Sequence, residues 1–406
     1  MFLRFALKNI LANKKRSIIT VILTSVTTAL LIFDSAFMIG SHNKMIESAV
    51  EIYPGYLQIT HRDFRDNPSL DNLIFDTQAI RHLLAGQPGI DVFGERFESY
   101  VFFAAGDKAV GGMLTGIEPE REKRLSRLFA SLRKGEYLEP GDGPFLYIGS
   151  ELARRLHVDV GDELAFIGSG ADYSFAADNL TVKGIFQTGL FDFDSSASFV
   201  SKSYFDEVMA ADGLATHIVV LPSRPRDAAG ISSRLDPQIG ADYQALNWQQ
   251  TMASLVQAMK VDSIFGYITF GIIFMVILFV VMIYTLLSVY ARIREIGILR
   301  ALGTTPGQIL RMLLLESILL SFISVVLGGI IGGILAWYFQ VYPIVFSGFD
   351  EQFKQYGLAV SALPTEFSLP AILRDMAVMF VLAVLSTLYP ILKVNSYRPI
   401  EAIRHV

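Results

Sequence analysis

Chains that hydrolyse nucleotides hold the phosphates in a glycine loop that ends in Gly-Lys, G-x-x-x-x-G-K-[ST], and this sequence contains no Gly-Lys dipeptide. It also lacks G-x-G-x-x-G, G-x-S-x-G and H-E-x-x-H, the patterns of dinucleotide binding, of a serine nucleophile on a tight elbow and of a zinc-bound water. The six histidines, at 42, 61, 82, 157, 217 and 405, have no ligand spacing, and the absence of cysteine excludes a thiolate metal site. Asp172, Asp178, Asp192 and Asp194 make an acidic region, but they miss the spacing of a calcium loop and read as a solvated loop. The chain is therefore expected not to be an enzyme and to carry no metal or cofactor of its own.

Two carboxylates stand in or beside apolar stretches, where a charge costs at least about 2.5 kcal/mol at the centre of a spanning helix. Asp34 falls toward the far end of the first stretch and Glu316 opens the third, so both read as interfacial groups that reach water or pair with a nearby Arg. Gly328, Gly329, Gly332 and Gly333 fall within the third stretch, a doubled small-xxx-small pattern that admits another helix at close range. Its partner is either another span of this chain or a second protomer.

The elements that must position these residues follow from composition. Of 406 residues, 52% are hydrophobic and 18% charged, and the mean hydropathy is +0.44. That is too apolar for a soluble protein of this length, and it excludes disorder; no nucleic-acid partner is expected. The expected fold is an integral membrane α-helical protein with four transmembrane helices and a large α+β extracytoplasmic domain inserted between helices 1 and 2. The spans are read as 17–39, 263–291, 312–346 and 376–392.

Orientation comes from charge. Arg4, Lys8 and Lys14 to Arg16, then Arg292, Arg294, Arg300 and Arg311, then Lys393, Arg398 and Arg404 crowd three short blocks. Residues 41–262 instead hold 20 Lys and Arg against 31 Asp and Glu, a net of −11. Cations in short loops mark the cytoplasmic side. Residues 1–16 are therefore expected to be a cytoplasmic amphipathic interfacial helix, and 393–406 a cytoplasmic tail. Residues 292–311 form a cytoplasmic helix and loop, 40–262 the periplasmic domain and 347–375 an outer loop.

Within 40–262, β-rich patterns fall at Gly55–Thr60, Val92–Phe103, Glu163–Ile167, Leu180–Gln187 and Thr216–Leu221, with helical patterns at Pro119–Leu132, Gly149–Leu156 and Lys202–Met209. Residues 247–262 are amphipathic and contain neither Gly nor Pro, so they predict a continuous stalk into the second span.

The segment RIREIGILRALGTTPGQILR, 292–311, resembles the signature of FtsX-like ABC transporter permeases, the group that includes MacB and the lipoprotein-releasing permeases of the LolC/LolE type. The end, YPILKVNSYRPIEAIR over 389–404, is similar to the terminal signature of that family. IGSELARRLHVDVGD (148–162) and GIFQTGLFDFDSS (184–196) are similar to the lipoprotein-releasing permeases in particular. A bacterial inner membrane is what the family resemblance carried by residues 292–311 and 389–404 implies.

The resemblance implies that Arg292, Ile293, Arg294, Glu295, Ile296, Gly297, Ile298, Leu299, Arg300, Ala301, Leu302 and Gly303 form a coupling helix. Its apolar Ile296, Ile298 and Leu299 would dock on a cytoplasmic ABC ATPase dimer that binds the ATP and Mg. Gly303 is expected to end that helix at positive φ, and Pro306 to start the next. The implied machine pairs two permease chains, the same or homologous, and releases a lipoprotein or other lipid-linked cargo by mechanical transmission through spans one and two. Phe33, Phe37, Met38, Ile39, Ile264, Phe265, Tyr267 and Ile268 are candidates for an apolar cradle at the outer membrane face. Alternatives are MacB-like efflux of periplasmic peptides or toxins, and an FtsX-like regulator of a cell-wall hydrolase.

Overall fold

The computed structural model describes residues 10, 14–291, 293–345 and 362–395. Arg292, the tail beyond 395 and most of the segments expected as interfacial helix and outer loop lie outside the described residues. The helices are α1 (Lys14–Val50), α2 (Thr77–Ala85), α3 (Pro119–Leu125), α4 (Ser150–Leu156), α5 (Phe191–Asp194), α6 (Lys202–Val208), α7 (Ala228–Leu235), α8 (Trp248–Thr251), α9 (Ala253–Ala291), α10 (Ile293–Ala301), α11 (Pro306–Val341) and α12 (Leu369–Asn395). The helices α1, α9, α11 and α12 are long and apolar enough to cross a membrane. Two compact units result, one of Lys44–Gln257 and one of the described residues up to Asn43, Ala258–Ile344 and from Ala362 onward.

In the helical unit, α11 is the central element. Thr305 and Gln308 form a capping box around Pro306 and fix its start. Its glycines divide between two partners of the same chain. A Cβ on Gly328 would fall 2.5 Å from the Ser25 carbonyl oxygen, and one on Gly332 would fall 2.9 Å from the Ile32 Cβ, so both receive α1. Gly329 meets Met376 and Gly333 meets Ile372, so these receive α12. The Ser25 hydroxyl donates to the Ser324 carbonyl at 2.8 Å across the first contact.

The spans run longer than their uncharged cores. The outer loop read at 347–375 gives up its last residues to α12, which begins at Leu369 and includes Arg374 and Asp375. Those charges are accommodated because the Arg374 guanidinium pairs with Asp375 at 2.9 Å and reaches the Ser35 hydroxyl at 3.3 Å. Residues 306–311, placed with the cytoplasmic helix and loop, form the first turns of α11, which starts at Pro306 as expected.

The Lys44–Gln257 unit is α+β. Its strands are β1 (Leu57–His61), β2 (Ile90–Ala105), β3 (Lys108–Ile117), β4 (Leu132–Gly135), β5 (Phe145–Gly149), β6 (Glu163–Ser169), β7 (Phe175–Phe186), β8 (Ala197–Ser201), β9 (His217–Pro222) and β10 (Tyr243–Asn247). They form one sheet in the order β10-β1-β9-β2-β3-β8-β5-β7-β4, with β6 joining β2 and β7. The alternating side chains of this sheet feed separate apolar cores. Phe97, Phe103, Phe166 and Phe205 lie in one, Ile59, Ile218, Ile231 and Leu235 in another, and Tyr147, Phe186 and Phe199 in a third. The helix expected over Pro119–Leu132 stops at Leu125, and Leu132 already pairs as strand.

A buried ion pair lies beside the end of α1. Arg96 on β2 is fully buried and clasps Glu122 on α3 through two hydrogen bonds of 3.0 and 2.6 Å. Its third arm donates to the Tyr53 carbonyl at 2.6 Å while the guanidinium lies 3.9 Å from the Tyr53 ring centroid. Removing a charge from water is tolerated only with such complete partnering. One turn before Tyr53, Arg127 pairs with Glu47 and, at 2.7 Å, with Glu51.

The continuous stalk predicted over 247–262 is broken. Asn247 and Gln250 form a capping box that starts α8, and Met252 leaves helical geometry at φ −113, ψ 50 before α9 begins at Ala253. The cause lies elsewhere in the chain: Arg65 takes the carbonyls of Gln250 and Thr251, two acceptors that an unbroken helix would use itself. The acidic region is not one solvated loop either. Asp194 is buried, accepting from Thr188 and Gly189, and Asp178 accepts from the Tyr204 hydroxyl at 2.7 Å.

Two outcomes follow from these contacts. Gly332→Leu wedges α1 from α11 and is expected to cost about 2 kcal/mol or more, lowering the thermal midpoint of the detergent-solubilised chain. Gly271→Leu, where a Cβ meets nothing within 4 Å, should leave the midpoint in place. His217 is buried with no hydrogen bond to Nε2, which stands 3.9 Å from the Glu98 carboxylate, and burial, opposed by Glu98, holds its pKa below the ordinary 6.5. The unfolded chain therefore binds a proton below about pH 6.5 that the folded chain refuses, so stability is lost as pH falls. Urea unfolding between pH 7 and 5 should show that slope, and His217→Gln should flatten it.

Candidate coupling site

The residues after the second apolar run form a short helix with a defined C-terminal end. Gly303 takes φ +98, the left-handed conformation expected of it, and its amide bonds the Arg300 carbonyl at 3.1 Å. Two residues later the Thr305 cap and Pro306 launch α11. A turn this short leaves α10 little freedom relative to α11.

The two sides of α10 differ. Ile296 is 6% exposed and joins Ile309, Met312 and Leu313 of α11 and Ile391 of α12 in one apolar cluster. Gly297 beside it is also buried. Ile298 is 50% exposed and Leu302, one turn on, is 78% exposed. The expected partner-facing set of Ile296, Ile298 and Leu299 is corrected at Ile296, which belongs to the protein's own core; among the described side chains of α10 and the residue after it, the open apolar positions are Ile298 and Leu302. Arg300 is half-buried, while the side chains of Ile293, Arg294, Glu295 and Leu299 lie outside what the structure describes.

The seat of Ile296 was within reach of sequence reasoning. Ile309, Met312, Leu313 and Glu316 follow the i, i+3, i+4, i+7 spacing of one helical face. That face carries the carboxylate read as interfacial. Glu316 is 3% exposed, one turn beyond the cluster, so it is a buried group of the helical unit; Asp34 is exposed.

The candidate cradle is not gathered into one pocket. The Phe33 ring packs edge-on against Phe339 of α11 at 5.5 Å and lies 6.4 Å from Phe37. Met38 approaches α9 at Gly266, its sulfur 3.5 Å from where a Cβ would stand. Ile39 is half-buried. Ile264, Phe265, Tyr267 and Ile268 are each more than half exposed on α9. In place of a cradle, an apolar groove of about 410 Å³ runs between α11 and α12 over Gly329 and Gly333, walled by Trp337, Phe367 and Leu373.

Residues 267–399, which contain α10 and its seat, match the FtsX-like permease C-terminal family. The chain is 26% identical over 311 residues to the lipoprotein-releasing system transmembrane protein LolC of Xylella fastidiosa (strain Temecula1), covering 74% of each. It is 21% identical over 364 residues to the protein of that name from Neisseria meningitidis serogroup B, covering 86% of this chain and 84% of that one. Among solved structures, the periplasmic region of MacB from Actinobacillus actinomycetemcomitans aligns with a TM-score of 0.39 at 15% identity, over 53% of this chain and 98% of that one.

Ile296→Ala empties the centre of the cluster and is expected to cost about 2 kcal/mol or more, read as a lower thermal midpoint. Ile298→Ala, on the open side, should shift it far less.

Proposed function

We propose, from a chain that carries an FtsX-like permease domain, that this protein is the transmembrane subunit of an ABC-type machine that releases lipoproteins from the inner membrane. The observation that carries the reading is the two-sidedness of α10. One flank is locked into α11 and α12 through Ile296, and the other offers Ile298 and Leu302 to a partner.

In this reading a cytoplasmic ATPase dimer binds ATP and Mg and grips the open flank. Its closure displaces α10, and Ile296 passes the displacement to α11 and α12. Gly328 and Gly332 pass it on to α1. The path differs from direct movement of spans one and two, because Ile296 of α10 is seated on α11 and α12. The extracytoplasmic domain, 44–257, then works on cargo outside. A second permease chain, the same or homologous, completes the machine. Both termini face the cytoplasm, as the cation-rich blocks at 4–16, 292–311 and 393–404 require.

Lipoprotein is the favoured cargo for two reasons. The LolC relatives align over about three quarters or more of their length. Each buried CH₂ also anchors a lipid by about 0.8 kcal/mol, so two or three acyl chains do not leave a bilayer unaided.

Affinity capture of the tagged full-length chain from its own membranes should bring down a Walker-motif ATPase together with acylated protein. Leu302→Asp should weaken recovery of the ATPase about tenfold. Ile296→Ala should leave recovery intact and lower the cargo released per ATP. Recovery of the chain without ATPase, or release per ATP in Ile296→Ala equal to that of the wild type, overturns the reading.

A further inference from the structure

Directly beyond the Ile296 cluster, the four long helices close around a small polar chamber. Its volume is about 30 Å³, and its lining includes Glu316 and Ser321 of α11, Thr20 and Thr24 of α1, Thr285 of α9 and Thr387 of α12. Leu313 and Ile391 belong both to this lining and to the cluster around Ile296. So many oxygens in the middle of an apolar bundle are costly unless something satisfies them.

Two of the hydroxyls have already committed their protons elsewhere. Thr285 donates its proton to the Val281 carbonyl at 2.8 Å, and Thr387 donates to the Val384 carbonyl at 2.7 Å. Both oxygens are left to offer lone pairs, and an ionised Glu316 carboxylate offers only lone pairs as well. Glu316 has an interaction within the protein already, and a guest would be held beside it. The chamber exceeds the roughly 10–15 Å³ that one water requires, and it is too small for an organic ligand.

We propose that this chamber binds one water-sized, oxygen-seeking guest, a water molecule or a bare monovalent cation, with Glu316 as its anchor. Through that guest Glu316 acts as a positioning residue, holding α1, α9 and α12 to the face of α11 that receives Ile296. The binding site stands independently of the proposed function; the positioning role rests on it.

The site is tested on the full-length chain in detergent, with no ATPase present. Ser321→Val fills the chamber with methyl groups. Displacing a bound guest should lower the thermal midpoint by about 3 °C or more. A midpoint at or above that of the wild type means that a dry void was filled, and the site is refuted. Thr20→Val removes a lining oxygen at nearly constant volume and is the second variant should Ser321→Val fail to fold; a lower midpoint supports the guest, and a midpoint at or above that of the wild type refutes it.

Melting in NaCl and in choline chloride at equal ionic strength separates the guests. A midpoint raised by sodium in the wild type and not in Glu316→Gln assigns a cation. Equal midpoints in the two salts, with Ser321→Val still destabilised, assign water.

The positioning role is tested in the assembled complex. Glu316→Leu should keep the ATPase bound while lowering cargo release per ATP about fivefold or more. With water as guest, Glu316→Gln should restore most of the ratio; with a cation, it should not. An unchanged ratio in Glu316→Leu refutes the role and leaves the melting result, and the permease reading, standing on their own.

Discussion

Helices in an apolar medium gain nothing from burying apolar surface, so what holds them is how closely their backbones can approach. In this chain that approach is set on α11. Gly328 and Gly332 open one face to α1, and Gly329 and Gly333 open the adjacent face to α12. Side chains on either face would hold the neighbour off, and the Ser25 to Ser324 hydrogen bond would be out of reach. The seat of Ile296 lies on the same helix. The central span therefore serves two contacts at once, with its neighbours along its length and with the short helix at its start.

Much of this was legible in the sequence because it rests on local rules. The glycine pattern of 328–333 stated that a helix would come close, Gly303 stated a positive φ, and Pro306 stated a helix start. The sequence could not say which helix would come close, because small-xxx-small looks the same for an internal partner and a second protomer. The direction of Ile296 was misread for a related reason. Ile296 and Ile298 are both isoleucines on a nine-residue helix, and only the position of Ile309, Met312 and Ile391 decides which of the two is core.

The failures are non-local. The break at Met252 is imposed by Arg65, about 185 residues away, through two carbonyls that a sequence window cannot link to it. The strand β3 went unread because its Gly111, Gly112 and Gly116 dilute the alternation. Those glycines make room for Tyr100, Phe103 and Phe205. The buried Arg96–Glu122 pair likewise joins residues whose neighbours in sequence announce nothing. The two helix ends in the Lys44–Gln257 unit consequently differ. The α1 end is tied by Arg127 to Glu47 and Glu51, whereas the start of α9 follows a residue outside helical geometry.

The joint between α10 and α11 has a consequence of its own. Its two sides are unequal: the proline ring and the Thr305 to Gln308 bond fix the α11 side, whereas Gly303, with open space where a Cβ would stand, keeps its backbone freedom. Whatever turning the joint allows is thereby confined to a single residue, which makes it a hinge pin seated in a firm bracket.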